Sequence, residues 1–168
     1  MPSYSVSASE IKYASGSSWT SGKARQGVYS STRYEGALNF ADLANFSFSN
    51  IAITGIQMRV TFGPTGGSST KYLTLYGGAK NSISGSIASM RGNALGAISV
   101  SNAFDRTVTL NFNSGSEAAI YNALVNFFTS GNRVLILYVP KTRGTYSGGY
   151  CYDYLSVTAM TLTFTYEY

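Results

Sequence analysis

The sequence predicts an all-β fold with one helix. Three observations predict it: about seven to nine short segments carry strand patterns, turn-forming residues recur roughly every ten residues, and one segment has helical spacing. A jelly-roll β-sandwich is favoured over an immunoglobulin sandwich, because 168 residues exceed the usual length of the latter and its Cys–Trp–Cys spacing is absent. We interpret residues 1–168 as a single domain.

Residues 1–36 form a polar N-terminal segment. One or two short strands are expected between its Gly and Ser turns, and residues 28–34 predict a further strand. Residues 37–40 predict a strand that enters the core. We interpret the polar segment as a candidate assembly arm.

The central part of the chain carries clearer strand patterns. Residues 56–62 alternate apolar and polar side chains, and residues 72–76 form the next strand-like run. The Gly- and Ser-rich residues 63–69 between them predict a hairpin with a long loop. Residues 77–102 predict short or edge strands, and residues 107–112 predict another regular strand.

One segment changes from strand to helical periodicity. Between Ser114 and Gly131 the apolar residues recur at the spacing of one helical face: Ala119, Ile120, Ala123, Leu124, Phe127 and Phe128. Ser114 followed by Glu117 predicts a capping box, and Gly131 predicts the C-terminal stop. We therefore expect one helix at about residues 115–129.

Two strands of different pattern end the chain. Residues 134–139 are apolar on both faces, which predicts a strand in the middle of a sheet that is covered on both sides. Residues 159–167 alternate, with Met160, Leu162 and Phe164 on one face and threonines on the other. This pattern predicts a half-buried antiparallel strand.

The composition excludes several kinds of active site. Histidine is absent, which removes Ser-His-Asp and Cys-His catalysis and nearly all zinc sites. Cys151 is the single cysteine, so we interpret it as an idle thiol that forms no internal disulfide. The formal net charge is +5, but the basic residues are scattered singly, which argues against nucleic acid as a partner.

The remaining enzymatic alternative is a pair of carboxylates of the glycosidase type. The candidates are Glu35, Asp42, Asp105 and Asp153. Two of them could instead share a calcium ion, although no Asp-x-Asp-x-Asp run supports one. We expect no enzymatic activity, no cofactor and no metal.

The composition also resembles that of surfaces that work outside cells or on virions. Tyr is abundant at 14 residues, and polarity comes mostly from uncharged groups. The N-terminal residues have no basic and apolar signal-peptide pattern, and no apolar run is long enough for a membrane span. We expect a virion component made in the host cytoplasm; a trimmed secreted domain is the alternative.

The order of the segments resembles a known kind of domain. The matching pieces are residues 37–40, 51–62 and 107–110, the helical segment, residues 132–137, a Gly/Ser/Tyr loop, and the closing run Met-Thr-Leu-Thr-Phe-Thr-Tyr at residues 160–166. Together they are similar to the carbohydrate-binding-module-like jelly rolls of secreted bacterial proteins and of bacteriophage tail and fibre proteins. The resemblance covers most of residues 37–168 and implies an architecture rather than catalytic residues.

Candidate contact residues lie in two Gly-rich segments. The loop at residues 143–154 supplies four tyrosines among glycines, and Trp19 lies in another Gly/Ser segment. Such residues suit adaptable binding loops, in which aromatic rings stack on sugars or pack against a neighbouring subunit. The candidates for glycan or partner contact are Trp19, Arg143, Tyr146, Tyr150 and Tyr152.

The sequence and the resemblance lead to one expected function and two alternatives. We expect a non-enzymatic structural protein of a bacteriophage virion, from a tail, a fibre or the capsid surface, which assembles with other virion proteins and with copies of itself. Attachment to a host cell-surface glycan is a candidate second role. A carbohydrate-binding module is the first alternative, and a small glycan hydrolase is the second.

Overall fold

The computed structural model describes residues 1–15, 18–30, 32–66, 72–78, 82–83, 90–100, 105–139 and 151–168, with the backbone alone at 28–30, 65–66 and 151–153. The strands are β1 Ser3–Ser7, β2 Glu10–Ala14, β3 Trp19–Ser21, β4 Ala24–Ser30, β5 Thr32–Asn39, β6 Ala52–Gly66, β7 Tyr72–Gly77, β8 Ala94–Ser99, β9 Thr107–Phe112, β10 Val134–Leu137 and β11 Cys151–Glu167. A short 3₁₀ helix covers Ala41–Asn45, and helix α1 covers Ala118–Thr129.

The strands form one antiparallel sheet that curls into two layers. Along the sheet the order is β8-β7-β10-β5-β4-β11-β6-β9, with β1 paired to β11 and β2 paired to β5. The first layer is β1-β11-β6-β9 and the second is β2-β5-β10-β7-β8. Side chains of both layers, such as Phe164 of β11 and Leu135 of β10, share one buried core. The prediction of an all-β sandwich with one helix is confirmed.

The two layers meet at β4. The N-terminal half of β5 pairs with β4, whereas its C-terminal half pairs with β2. A Cβ atom at Gly36 would lie 2.7 Å from the Cβ of Ala24 and 2.7 Å from the backbone N of Arg25. Glycine is therefore needed where β4 crosses β5 and leaves for the other layer.

Helix α1 closes the side between the two edge strands. It contacts β8 of the second layer and β6 and β9 of the first. Leu124 and Phe128 are buried in the core, and Ile120 packs over Gly96, whose φ is +144°. The apolar face predicted from the sequence is the face that covers the core.

A second, smaller apolar cluster lies on the outer face of the second layer. We call it the outer cluster, and its buried members are Ala37, Ile83, Met90, Val134 and Ile136. It explains why β10 is apolar on both faces: Leu135 and Leu137 point into the core, and the alternate residues point into the outer cluster. The prediction of a central strand covered on both sides is confirmed.

Several further predictions are confirmed. Strands β6, β7 and β9 contain the predicted runs, β11 buries the alternating apolar face, and β8 is an edge strand within residues 77–102. Residues 79–81, 84–89 and 101–104 lie outside the described residues. Gly131 adopts φ +92° just after α1 and donates its N–H to the carbonyl of Phe128, as a helix stop requires.

Three local predictions are wrong. Residues 28–34 do not form one strand, because they span the end of β4 and the start of β5, which pair with each other. Strands β6 and β7 do not form a hairpin: β6 pairs with β9 and β11, and β7 pairs with β8 and β10. The loop predicted at 63–69 also begins later, because β6 runs to Gly66; residues 67–71 lie outside the described part.

The predicted capping box is absent from the start of α1. Glu117 occupies the N-cap position with φ +55° and makes no side-chain capping hydrogen bond. The turn is held instead by Asn113, whose Oδ1 accepts the N–H of Gly115 and whose backbone pairs with Ser116. The Ser114–Glu117 spacing matched the motif, but the chain enters the helix through a different turn.

Candidate functional site

The predicted contact residues fall into three groups. Arg143, Tyr146 and Tyr150 lie outside the described residues. Tyr152 is on β11, where only its backbone is described, opposite Tyr29 of β4. Trp19 begins β3 and packs, half-buried, against the outer cluster. Their role in binding stays a prediction.

The ends of the predicted tyrosine loop are nevertheless placed. Val139, the last residue described before the loop, accepts a hydrogen bond at its carbonyl from Arg33. Cys151, the first residue described after it, pairs with Ser30. Both ends therefore leave the sheet beside the β4–β5 hairpin, and Trp19 shares the outer cluster with nearby Tyr138.

A half-buried arginine, Arg25, joins four strands close to this position. The guanidinium carbon of Arg25 lies 5.0 Å, 5.1 Å and 5.9 Å from the ring centroids of Tyr13, Tyr34 and Tyr154. Cation–π contacts of this kind contribute about 0.5–2 kcal/mol each, more when water is excluded. The three tyrosines thus form a cage that the protein's own arginine already fills, which indicates a structural role.

Glu35 makes another polar contact close to the two ends of the predicted tyrosine loop. The carboxylate pairs with Arg91, whose guanidinium carbon lies 3.8 Å above the Tyr138 ring. Burial raises the pKa of Glu35, while the hydrogen bond and charge of Arg91 and the charge of Arg33 oppose that rise. The ion pair ties residue 91 to the outer face of the second layer.

A pocket lies at one end of the sandwich, between the 3₁₀ helix and the end of α1. We call it the end pocket; its volume is about 310 Å³, which falls at the lower end of ligand-site volumes. Its lining residues are Leu43, Ala44, Phe46, Phe48, Ser49, Phe128, Thr129, Gly131, Asn132 and Arg133. The lining combines aromatic rings with polar side chains.

The aromatic wall is held by contacts to both layers. Phe46 stacks on Tyr4 with ring centroids 4.4 Å apart, and its ring edge meets Phe48 at 5.1 Å. Phe48 contacts Phe164, which in turn contacts buried Phe128. Each ring of the wall therefore packs against at least one other ring.

The polar side of the end pocket is built on the end of α1. Asn132 donates its Nδ2 hydrogen bond to the carbonyl of Phe127, and Thr129 donates its hydroxyl to the carbonyl of Val125. Arg133 follows, half-buried, and its guanidinium makes no hydrogen bond or ion pair with any residue that the structure describes. It is also the only charged residue in the pocket lining.

A different kind of surface covers the first layer. We call it the hydroxyl face; three outward residues from each of its four strands form it: Ser3, Ser5, Ser7, Thr161, Thr163, Thr165, Gln57, Arg59, Thr61, Thr107, Thr109 and Asn111. These side chains are exposed or half-buried, and Arg59 carries the only charge among them.

The hydroxyl face is ordered by bonds between neighbouring strands. The hydroxyls of Ser5 and Thr163 lie 2.8 Å apart, as do those of Ser7 and Thr161. Another pair, Thr61 with the facing threonine of β9, lies 3.0 Å apart. Side chains on adjacent strands are about 5 Å apart, so these bonds fix a regular array.

Two of the acidic candidates, Asp42 and Asp105, lie far apart. The backbone of Asp42 lies beside Tyr4, opposite the C-terminal part of β11. Asp105 donates its N–H to Gly63, which lies beside Thr158 in the middle of β11. The two exposed acids are therefore about 20 Å apart along the sheet, beyond the separation of a glycosidase pair.

Metal ligands do not assemble in the described part of the chain. No group of three His, Cys, Asp or Glu residues is close enough there to hold an ion. The side chains of Cys151 and Asp153 lie outside that description. No helix among the described residues is long and apolar enough to cross a membrane.

Neither a family model nor a curated protein matches this chain.

Sequence reasoning missed the end pocket and found the outward residues of three of the four strands of the hydroxyl face. Phe46 and Phe48 alternate with serines in a polar connection, which was a usable signal for aromatic rings at a surface. Arg133 was seen only as the start of a strand. The outward residues of β11, β6 and β9 followed from their alternation, but the serines of β1, which pair with the threonines of β11, were not predicted to join them.

Proposed function

We propose that this protein is a non-enzymatic structural component of a bacteriophage virion, from a tail, a fibre or the capsid surface. It acts by assembling with copies of itself and with other virion proteins. The hydroxyl face is the observation that supports this proposal most directly. The resemblance of residues 37–168 to phage tail and fibre domains gives the context.

The hydroxyl face suits a contact between proteins for a physical reason. Burying a charge is costly unless it is paired, and this face carries one charge, on Arg59. Six of its nine hydroxyls already pair with one another, so a neighbour that covers them has fewer polar groups left to satisfy. A broad surface of this kind supports assembly better than it supports catalysis.

Light scattering on the purified protein tests the assembly proposal. We expect the native chain to form an oligomer, and Thr163→Arg to reduce its mass to that of a monomer, because the change buries an unpaired charge in the contact. The matched control is Asn122→Arg on the exposed side of α1, which should leave the mass unchanged. A native monomer, or an oligomer that survives Thr163→Arg, would contradict contact through this face.

A carbohydrate-binding module is the second candidate, and the end pocket favours it. Sugar rings stack their C–H faces on aromatic side chains, and the pocket combines Phe48 with amide, hydroxyl and guanidinium groups. Calorimetric titration with fragments of host cell wall tests this function. Phe48→Ala should weaken binding, whereas Tyr72→Ala, at an exposed aromatic elsewhere, should not.

The same titration separates the end pocket from the predicted tyrosine loop. If Tyr146→Ala and Tyr150→Ala abolish binding while Phe48→Ala leaves it intact, the glycan contact belongs to the loop. If the native protein binds no cell-wall fragment, the carbohydrate-binding candidate fails. The assembly proposal is then the one that remains.

A further inference from the structure

The charge of the end pocket restricts its ligand. Arg133 is the only charged residue that lines it, and no carboxylate does. A guanidinium that makes no bond to the described part of the protein is a ready donor for an anionic group, which it can hold with two parallel hydrogen bonds. The pocket therefore favours a ligand that carries a negative charge.

The hydrogen bonds around the pocket restrict the ligand further. One amide proton of Asn132 and the hydroxyl proton of Thr129 are directed to helix carbonyls. These two side chains consequently offer acceptor oxygens to the pocket, namely Oδ1 of Asn132 and a lone pair on Oγ1 of Thr129. A ligand that brings hydroxyl donors on this side, as well as an anion for Arg133, matches these acceptors.

The aromatic wall supplies the third requirement. Phe48 is half-buried, packed against Phe164 on one side, and it lines the pocket together with Phe46. It offers an apolar surface of the kind on which a sugar ring stacks. A hydroxylated ring with one apolar face and one acidic group satisfies all three requirements.

We propose that the end pocket binds an acidic saccharide. Its anionic group bonds to the guanidinium of Arg133, its hydroxyls donate to Asn132 and Thr129, and its C–H face packs on Phe48. This inference rests on the carbohydrate-binding function proposed above and adds the class of glycan. The anion can be a sugar carboxylate or a phosphate of a glycan chain, since both suit a guanidinium.

A purely structural role for Arg133 makes a different prediction. A cation near a helix C-terminus stabilises the helix by about 0.3–1 kcal/mol through the helix dipole. The last carbonyls of α1 already accept hydrogen bonds, including those of Asn126 from Ser130 and Phe128 from Gly131. A structural role would lower the melting temperature of an Arg133 variant without changing which glycan it prefers.

The test compares an oligogalacturonate with a neutral galactan oligomer of the same length by calorimetric titration. The native protein should bind the acidic oligomer more tightly. Arg133→Gln should weaken that binding about 10- to 100-fold, as expected for the loss of a hydrogen bond to a charged group, and leave the neutral oligomer nearly unaffected. Arg133→Lys should restore part of the affinity because it keeps the charge but loses the planar fork.

The control variant is Arg106→Gln, which removes an exposed arginine from a turn outside the pocket. It should bind both oligomers like the native protein, and melting temperatures of all variants establish that they are folded. A phosphorylated galactan oligomer of the same length in a parallel titration distinguishes the phosphate source of the anion from the carboxylate source.

The outcomes separate two claims: that the end pocket binds a glycan, and that it prefers an acidic one. Equal binding of acidic and neutral oligomers, or an Arg133→Gln variant that keeps the acidic preference, would overturn the acidic specificity and leave the glycan site intact. If the native protein binds none of the three oligomers but does bind an acidic peptide, the proposal that the ligand is a saccharide is overturned. The acidic preference, its loss in Arg133→Gln and its partial return in Arg133→Lys would together support it.

Discussion

The two outward faces of the sandwich are opposites. The hydroxyl face of the first layer is exposed, and its side chains bond to one another across strands. The outer face of the second layer is covered by Ile83 and Met90, which bury Val134 and Ile136, and by the ion pair of Glu35 with Arg91. One face is exposed and polar, whereas the other is covered by side chains of the same chain.

This difference follows from the strand that lies at the centre of each layer. Strand β11 alternates Thr with apolar residues, so it buries one face and hydrates the other. Strand β10 is apolar at every position, so its layer needs cover on both sides. We therefore expect truncations on the outer face of the second layer to cost more stability than truncations on the hydroxyl face.

The largest expected effect comes from truncating a side chain of the covered face. Ile136→Ala removes buried methyl groups from the outer cluster and should lower the free energy of unfolding by about 2–5 kcal/mol. The matched change on the hydroxyl face, Thr163→Ala, should cost less than about 1 kcal/mol. Urea unfolding measures both. Equal costs at the two positions would remove the contrast between the faces.

The next effect tests the crossing that joins the layers. Gly36→Ala places a Cβ 2.7 Å from backbone and side-chain atoms of β4, and we expect a loss of about 1–3 kcal/mol. Gly55→Ala, at the edge of the hydroxyl face, meets nothing closer than 3.7 Å and should change stability by less than about 1 kcal/mol, in the favourable direction. Thermal unfolding distinguishes them, and a well-tolerated Gly36→Ala would show that β4 can shift.

The same contrast explains what the sequence could predict. Alternation in β11 and continuous apolarity in β10 report directly which faces are buried, so both strands and the sandwich followed from them. The helix followed from its apolar face in the same way. Patterns of burial are local in sequence, because each side chain responds to its own neighbourhood.

Pairing and the end pocket could not be predicted in this way. Strands β6 and β7 are neighbours in sequence, yet β6 pairs with β11, a choice set by the shape of the whole core. The boundary between β4 and β5 lies in a run of serines that carries no glycine or proline signal. The end pocket joins residues 43–49 with residues 128–133, and no sequence spacing links two segments so far apart.

A pH titration tests the ion pair of the covered face. Burial raises the pKa of Glu35 above its ordinary value of 4.5, so the folded chain holds this proton at a pH where the unfolded chain has released it. The contribution to stability is complete below pH 4.5 and is lost as the pH rises through the folded pKa. Glu35→Gln should remove that loss, as measured by the free energy of unfolding across the range.

The control for this titration is Glu117→Gln, which removes an exposed carboxylate at the start of α1. Its stability profile should keep the native dependence on pH. A native profile that rises over this range, or one that Glu35→Gln leaves unchanged, would mean that Arg91 and Arg33 outweigh the burial of the carboxylate.

The smallest effect concerns the bonds within the hydroxyl face. A double-mutant cycle on Ser7 and Thr161, with Ser7→Ala and Thr161→Val, should give a coupling energy of only about 0.2–1 kcal/mol, because the two hydroxyls are exposed and exchange with water. The free energy of unfolding of each variant supplies the cycle. A coupling energy well above this range would mean that the hydrogen bonds of the hydroxyl face themselves stabilise the fold. The difference in stability between the two outward faces would then be smaller than their burial indicates.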